Sequence, residues 1–200
     1  MPKTVFSPSI DSRPTYPGLV SQGAVPGIMV ADDAGAAALI DLATSDASVM
    51  DRAHVLLIGG AETTATRLGN LTPKALHSAP DLEAAAPLFD SLLLDARMGT
   101  QLYLAGSEGL IGFATARATA AGLPLDAIQS EHRGPIGRRM KCVHCKGITE
   151  DVLTDPFTCS HCGLTLFVRD HFSRRLGVFQ GVCVDAETPG DIPETVEIRA

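Results

Sequence analysis

Tryptophan is absent from this 200-residue chain, and seven Phe and two Tyr are all the aromatic rings it has. Its core must therefore be aliphatic and alanine-rich. With 45% hydrophobic and 20% charged residues the composition is globular, which excludes wholesale disorder. No apolar run approaches the roughly 18 residues that a membrane helix needs. The opening residues, MPKTVFSPSIDSRPTYPGL, lack the apolar stretch of a secretory signal. Internal repeats and low-complexity tracts are missing too. These absences predict a soluble, cytoplasmic protein with no membrane partner. At 20.9 kDa, the chain fits one ordinary domain plus a small appendage.

Cations are in the minority, with 16 Lys/Arg against 23 Asp/Glu and a net charge of −7. That balance speaks against a global nucleic-acid binder. The charge is unevenly spread: residues 1–132 carry −7, residues 133–175 carry +4 and residues 176–200 carry −4. Twelve of the sixteen cations are Arg, a preference that suits fixed bidentate contacts.

Residues 1–26 hold five of the thirteen prolines and read as an irregular arm. The short apolar run Gly27–Ala31 is a strand, and an alanine-rich helix is expected over 34–50 after Asp32-Asp33. His54–Ile58 is a second strand, unbroken in its apolarity as in sheets covered on both faces. A weaker strand follows at 75–78, then a helix from Pro80-Asp81 through Leu93. Gln101–Ala105 is a strand, Leu110–Ala121 a helix stopped by Gly122, and Ile128–Glu131 a last short strand. Strands alternating with helices predict an α/β domain over 27–135 with a doubly wound, mostly parallel sheet. An unrelated α/β domain, with Gly106 and Gly109 as plain turn residues, is the alternative at this point. His54, His77 and His132 are scattered, and Glu108 and Asp126 have nothing in the sequence to bring them together.

The strongest chemical signal is Cys142-Val-His-Cys145 and Cys159-Ser-His-Cys162, two CxxC pairs thirteen residues apart. Each turn aims two thiolates at one point, and two such turns make a tetrahedral S₄ cage. Gly147 and Gly163 permit the tight backbone that these turns need. The spacing is that of a small β zinc ribbon over 136–187, each pair capping a hairpin, with 164–168 as a ribbon strand and 188–200 as an acidic tail. Four cysteines leave no position for water or substrate, so a structural zinc ion is the first expectation. Rubredoxin-type iron, an iron–sulfur cluster and two disulfides are alternatives, the last disfavoured in a reducing cytoplasm. The aromatic cluster expected beside rubredoxin-type iron is thin here, with Phe157 and Phe167 the only nearby rings. His144 and His161 read as exposed tip residues, and Cys183 as a small buried hydrophobe. Arg138, Arg139, Lys141, Lys146 and Arg169 can offset the −2 charge of a Zn–S₄ site.

The element order in 27–133 resembles the nucleotide-binding domain of ferredoxin reductases. Gly27–Gly35 stands for the first strand and phosphate loop, and His54–Gly60 for the second strand. Leu102–Gly109, Ala121–Pro124 and Ile128–Glu131 stand for the closing unit. Three contacts of that family depart here. Asp32 and Asp33 would repel a pyrophosphate, Ala61-Glu62 replaces an arginine, and Ala105-Gly106 replaces a Cys-Gly pair. Such losses imply a retained scaffold that does not bind dinucleotide in the usual way.

Residues 141–187, and Arg169-Asp-His-Phe-Ser-Arg-Arg175 in particular, are similar to the small DmmA-type subunits of bacterial dimethylamine monooxygenases. That resemblance implies a multisubunit, NADPH-dependent haem enzyme that demethylates dimethylamine to methylamine and formaldehyde. A companion subunit would carry FMN and a [2Fe–2S] cluster, and another would carry haem; this chain, inactive alone, would carry zinc. Arg169, His171, Phe172, Arg174 and Arg175 form an expected interface with the haem subunit, an aromatic anchor flanked by cations. The α/β domain would pack on the reductase subunit. A rubredoxin-like electron carrier, a zinc-ribbon regulatory or nucleic-acid-binding module, and an active reductase are the competing functions.

Overall fold

The computed structural model describes residues 12–198, so the first part of the arm and the last two residues of the tail lie outside the described residues. Five strands form a parallel sheet: β1 (Gly27–Ala31), β2 (Ala53–Ile58), β3 (Ala75–Ala79), β4 (Gln101–Gly106) and β5 (Ile128–His132). Their order is β3-β2-β1-β4-β5, so the winding reverses between β1 and β4. In doubly wound sheets the ligand crevice lies at the carboxyl ends of the strands at that switch point.

Helices α1 (Ala36–Ser45) and α2 (Glu62–Gly69) cover one face; α3 (Leu82–Leu94) and α4 (Glu108–Ala120) cover the other. Side chains alternate across each strand. Ile28, Val30, Leu56, Leu102 and Leu104 therefore pack with Phe89, Leu110 and Ala114. Met29, Val55, Leu57 and Tyr103 pack with Leu39, Leu42 and Leu68 on the other face. Double coverage is the reason β1, β2 and β4 read as continuous apolar runs.

The helix expected over 34–50 is two pieces. Asp46 is extended at φ −155°, and its carboxylate accepts from the Ser48 N–H at 3.0 Å, starting a separate 3-10 turn over Ala47–Met50. Helix α2 was not anticipated: it is polar and buries only Thr64 and Leu68, so it has no apolar stripe to announce it. The described part of the arm has no regular structure, but it runs along β5. The Gly18 N–H donates to the Ser130 carbonyl, and those of Leu19 and Val20 donate to the Glu131 and Gln129 side chains.

Strands β6 (Arg138–Cys142), β7 (Ile148–Val152), β9 (Phe157–Thr158), β10 (Thr165–Ser173) and β11 (Val178–Cys183) form a second sheet, ordered β7-β6-β11-β10-β9. A two-residue strand, β8 (Thr154–Asp155), pairs with β12 (Val196–Glu197) of the acidic tail. The parallel pairing of β11 with β6 sets Phe179 opposite Met140. The rings of the ribbon core are thus Phe157, Phe179 and half-buried Phe172, whereas Phe167 lies under the Arg169 guanidinium, 5.3 Å from its ring centroid. Cys183 is half-buried rather than buried, because β11 ends there and the thiol donates to the Asp185 carboxylate at 3.2 Å. Among the described residues no helix is long and apolar enough to cross a membrane.

The ribbon sits directly on the α/β domain. A Cβ at Gly112 in α4 would stand 2.7 Å from the Gly177 carbonyl oxygen in the β10–β11 turn, where Gly177 itself holds φ +62°. Both groups are backbone and neither can swing away. We expect Gly112→Val to cost about 1–3 kcal/mol by forcing the two units apart. Urea unfolding checks this, and an unmoved midpoint would show that the contact has slack.

Candidate metal centre and a covered crevice

The β6–β7 turn carries Cys142 and Cys145, and the β9–β10 turn carries Cys159 and Cys162. Their four Sγ atoms all lie within 4.8 Å of one another, with Cys142–Cys162 at 3.9 Å and Cys145–Cys159 at 3.7 Å. A tetrahedral ion with metal–sulfur bonds of about 2.3 Å sets sulfurs about 3.8 Å apart, so the cage fits one such ion. Among the described residues this is the one His/Cys/Asp/Glu group compact enough to hold a metal.

The local backbone serves the sulfurs. The Gly147 N–H points to Cys145 Sγ at 3.4 Å. The Cys159 thiol is lowered to about 6: burial opposes ionisation, but the N–H groups of Cys162 and His161 outweigh it. Cys162 is pushed up to about 12, since burial and the neighbouring sulfurs overcome the N–H of Leu164. Four sulfurs this close cannot all ionise unaided, and a divalent cation held among them would supply the missing countercharge.

His144 and His161 are exposed and outside the cage. His161 Nε2 instead lies 2.8 Å from the Ile148 carbonyl, tying the second turn to the strand after the first. The cations expected around the cage are partly committed elsewhere. Arg139 pairs with Glu150 at 2.9 Å, Lys146 donates to the Val143 carbonyl, and Arg138 is turned toward the α/β domain.

Arg169, His171, Arg174 and Arg175 are exposed on β10 and the following turn. Phe172 is half-buried, and its ring packs on Phe179 with centroids 4.8 Å apart. Among the scattered histidines, His54 and His77 stack across β2 and β3, with ring centroids 6.0 Å apart. Asp126 is exposed and takes no part in any site with Glu108.

At the switch point the chain occupies its own crevice. Asp32 follows β1, and its carboxylate accepts from the Gly35 N–H at 2.7 Å and the Ser107 N–H at 2.8 Å. It thereby joins the starts of α1 and α4, where helix dipoles and free amides would otherwise attract a phosphate. Burial raises the Asp32 pKa, and those two amides pull the other way. Gly106, at φ +138°, leaves room for this carboxylate; any Cβ there would overlap it. Asp33 accepts from the Ala61 N–H at 3.0 Å and the Thr64 hydroxyl at 2.6 Å, which lowers its pKa and caps α2. Asp81 caps α3 through the Ala84 N–H at 2.8 Å. Asp32, Asp33 and Asp81 thus each hold backbone near a helix start on this edge, while α4 is capped by Ser107, whose hydroxyl accepts from the Leu110 N–H at 3.3 Å.

The ribbon then covers the edge. The Gly109 N–H, in the first turn of α4, donates to the Gly137 carbonyl at 2.8 Å. A Cβ at Gly134 would lie 2.8 Å from Ala34 Cβ. Beneath this segment, Glu108 and Arg138 pair at 2.9 Å, with 0% and 2% of their side chains exposed. Glu108 also accepts from the Tyr16 hydroxyl at 3.1 Å, and Arg138 reaches Asp170 at 3.0 Å. Arg13 meets the same Asp170 at 3.4 Å. Burial raises the Tyr16 pKa well above its ordinary value, with the Glu108 charge adding to it, and burial lowers that of adjacent His132. This network was missed in the sequence. Its one local trace is Ser107-Glu108 at a helix start, a pattern equally expected of an exposed first turn.

Residues 8–128 match the family described as dimethylamine monooxygenase subunit DmmA-like, N-terminal domain, and residues 139–182 match its C-terminal domain. The chain is also 36% identical over 143 residues to the heme-dependent oxidative N-demethylase delta subunit of Ectopseudomonas mendocina (strain ymp), covering 68% of this chain and 82% of that protein. A parallel α/β domain of arm and sheet, a four-cysteine ribbon closed over its crevice, and matches spanning both parts lead to one conclusion: the chain belongs to the family of DmmA-like dimethylamine monooxygenase subunits.

Proposed function

We propose that this chain is an accessory subunit of an oxidoreductase that removes N-methyl groups oxidatively, and that it organises an electron-transfer assembly without performing chemistry itself. The observation that carries this is the filled crevice: Asp32 holds the amides at the switch point and the Arg138 strand lies over them. A dinucleotide would have to displace a buried ion pair and meet two aspartates at contact distance. The finer reading is an NADPH-dependent haem enzyme that converts dimethylamine to methylamine and formaldehyde. FMN and the [2Fe–2S] cluster belong to a reductase subunit and haem to another. Cys142, Cys145, Cys159 and Cys162 hold a structural zinc ion, which keeps the ribbon rigid. The α/β domain packs on the reductase subunit. Arg169, His171, Arg174 and Arg175 meet the haem subunit, with Phe172 stiffening the strand that presents them. The assembly works in the cytoplasm, where thiols stay reduced, and needs neither nucleic acid nor membrane.

Purification of the native assembly with metal analysis tests this, together with NADPH titration of the isolated chain. The expected result is co-elution with flavin and haem polypeptides, one zinc per chain and no saturable NADPH binding. A solitary zinc protein would contradict the assembly. Iron that cycles between two oxidation states would make the ribbon an electron carrier, and saturable NADPH binding would make the crevice functional.

A further inference from the structure

A cavity of about 460 Å³ opens on the ribbon between the first cysteine turn and the β10–β11 hairpin. Half-buried Val143, Phe172 and Leu176 form its apolar floor over the buried side chains of Val178 and Phe179, and Lys141, Lys146 and His171 stand around it. No Asp or Glu lines it among the described residues. A smaller cavity of about 180 Å³, to which Phe172 and Arg174 also contribute, likewise has none. The other large cavities each include at least one carboxylate: Asp126 in one, Asp155, Asp170 and Glu197 in another, Asp95 in a third. The floor asks for a large apolar side chain and the surround asks for negative charge, a pairing that fixes both register and orientation of a docked segment.

We infer that this cavity receives an acidic segment of a companion polypeptide, a large apolar residue seated against Val143, Phe172 and Leu176 and flanking carboxylates facing Lys141, Lys146 and His171. This deepens, and rests on, the docking role proposed above. Arg174 and Arg175 leave the hairpin beside the cavity and extend the positive field along the incoming chain. The occupant is a protein segment rather than a small anion, because a small anion has no use for an apolar floor.

A photo-crosslinking amino acid introduced at Gln180, an exposed residue on the cavity wall, tests this in the native assembly. The crosslinked peptide is expected to hold a large apolar residue with at least two Asp/Glu close to it. In a Lys141→Glu/His171→Glu background the yield is expected to fall about tenfold or more with metal content unchanged. Should that pair lose its metal, Lys141→Gln with His171→Gln gives the same reading at smaller amplitude. A neutral or basic crosslinked peptide, a second copy of this chain, or a yield indifferent to the charge changes would each overturn the inference. Absence of a crosslink while flavin and haem polypeptides still co-purify removes this cavity and leaves the docking role; loss of co-purification removes both.

Discussion

Replacing Cys142 or Cys159 by serine is expected to unfold the ribbon and leave the parallel sheet standing. The ribbon's own core is small: Met140, Val152, Phe157, Leu166, Val178 and Phe179 are its buried hydrophobes besides Cys142 and Cys159 themselves. A cluster of that size repays little of the backbone entropy lost when the ribbon orders. Binding of the metal adds on the order of 10 kcal/mol, which decides the balance. A serine hydroxyl is a poor ligand for a thiophilic ion and leaves three sulfurs with an incomplete cage. In ¹H–¹⁵N spectra, the amides of β6, β7, β10 and β11 should collapse to random-coil positions. Those of β1, β2 and β4, sealed between two helical layers, should keep their dispersion. Chelation of the wild-type protein should reproduce the same pattern, reversed by zinc. A metal-free ribbon that still melts cooperatively would refute the structural role of the ion.

The features legible in the sequence were those encoded at short range. Strands β1, β2 and β4 announced themselves because burial on both faces demands unbroken apolar runs. The cysteine cage was legible because CxxC spacing, unlike most site geometry, is set by a single turn. Helix α2 hid because Glu62, Thr63, Thr66 and Arg67 carry no stripe, its place being fixed by Asp33 from another loop. Asp32 was read as an obstacle to phosphate. The fold adds that this carboxylate takes over the amides a phosphate would use, which depends on β1 and β4 being neighbours. The place of Phe179 in the ribbon core and the inward turn of Arg138 escaped the sequence for one reason: β11 pairs in parallel with β6, across about forty intervening residues, and no local pattern encodes that register.

Glu108→Ala is expected to destabilise the whole chain by about 3–5 kcal/mol, the cost of leaving a buried guanidinium without its carboxylate. Arg138 is 2% exposed, and its other carboxylate partner, Asp170, is shared with Arg13. Its flat face lies 4.5 Å from the Phe179 ring centroid, so the cation cannot turn out to solvent without breaking the ribbon core. The loss should appear in urea unfolding as a lower midpoint and as earlier detachment of the ribbon, because the pair bridges α4 and β6. Tyr16 would also lose the acceptor of its hydroxyl, while Gly18, Leu19 and Val20 still hold the arm on β5. The decisive comparison is Glu108→Leu with Arg138→Met. Apolar side chains of similar bulk remove both charges and keep the Phe179 contact, so the double variant should recover more than half of the deficit. Recovery would mean that the ion pair enforces which surfaces meet without adding net stability. Its persistence in the chain would then reflect the closed crevice it seals. A double variant as unstable as Glu108→Ala would instead place the energy in the hydrogen bonds from Tyr16 and to Asp170, and the pair would be a structural strut and nothing more.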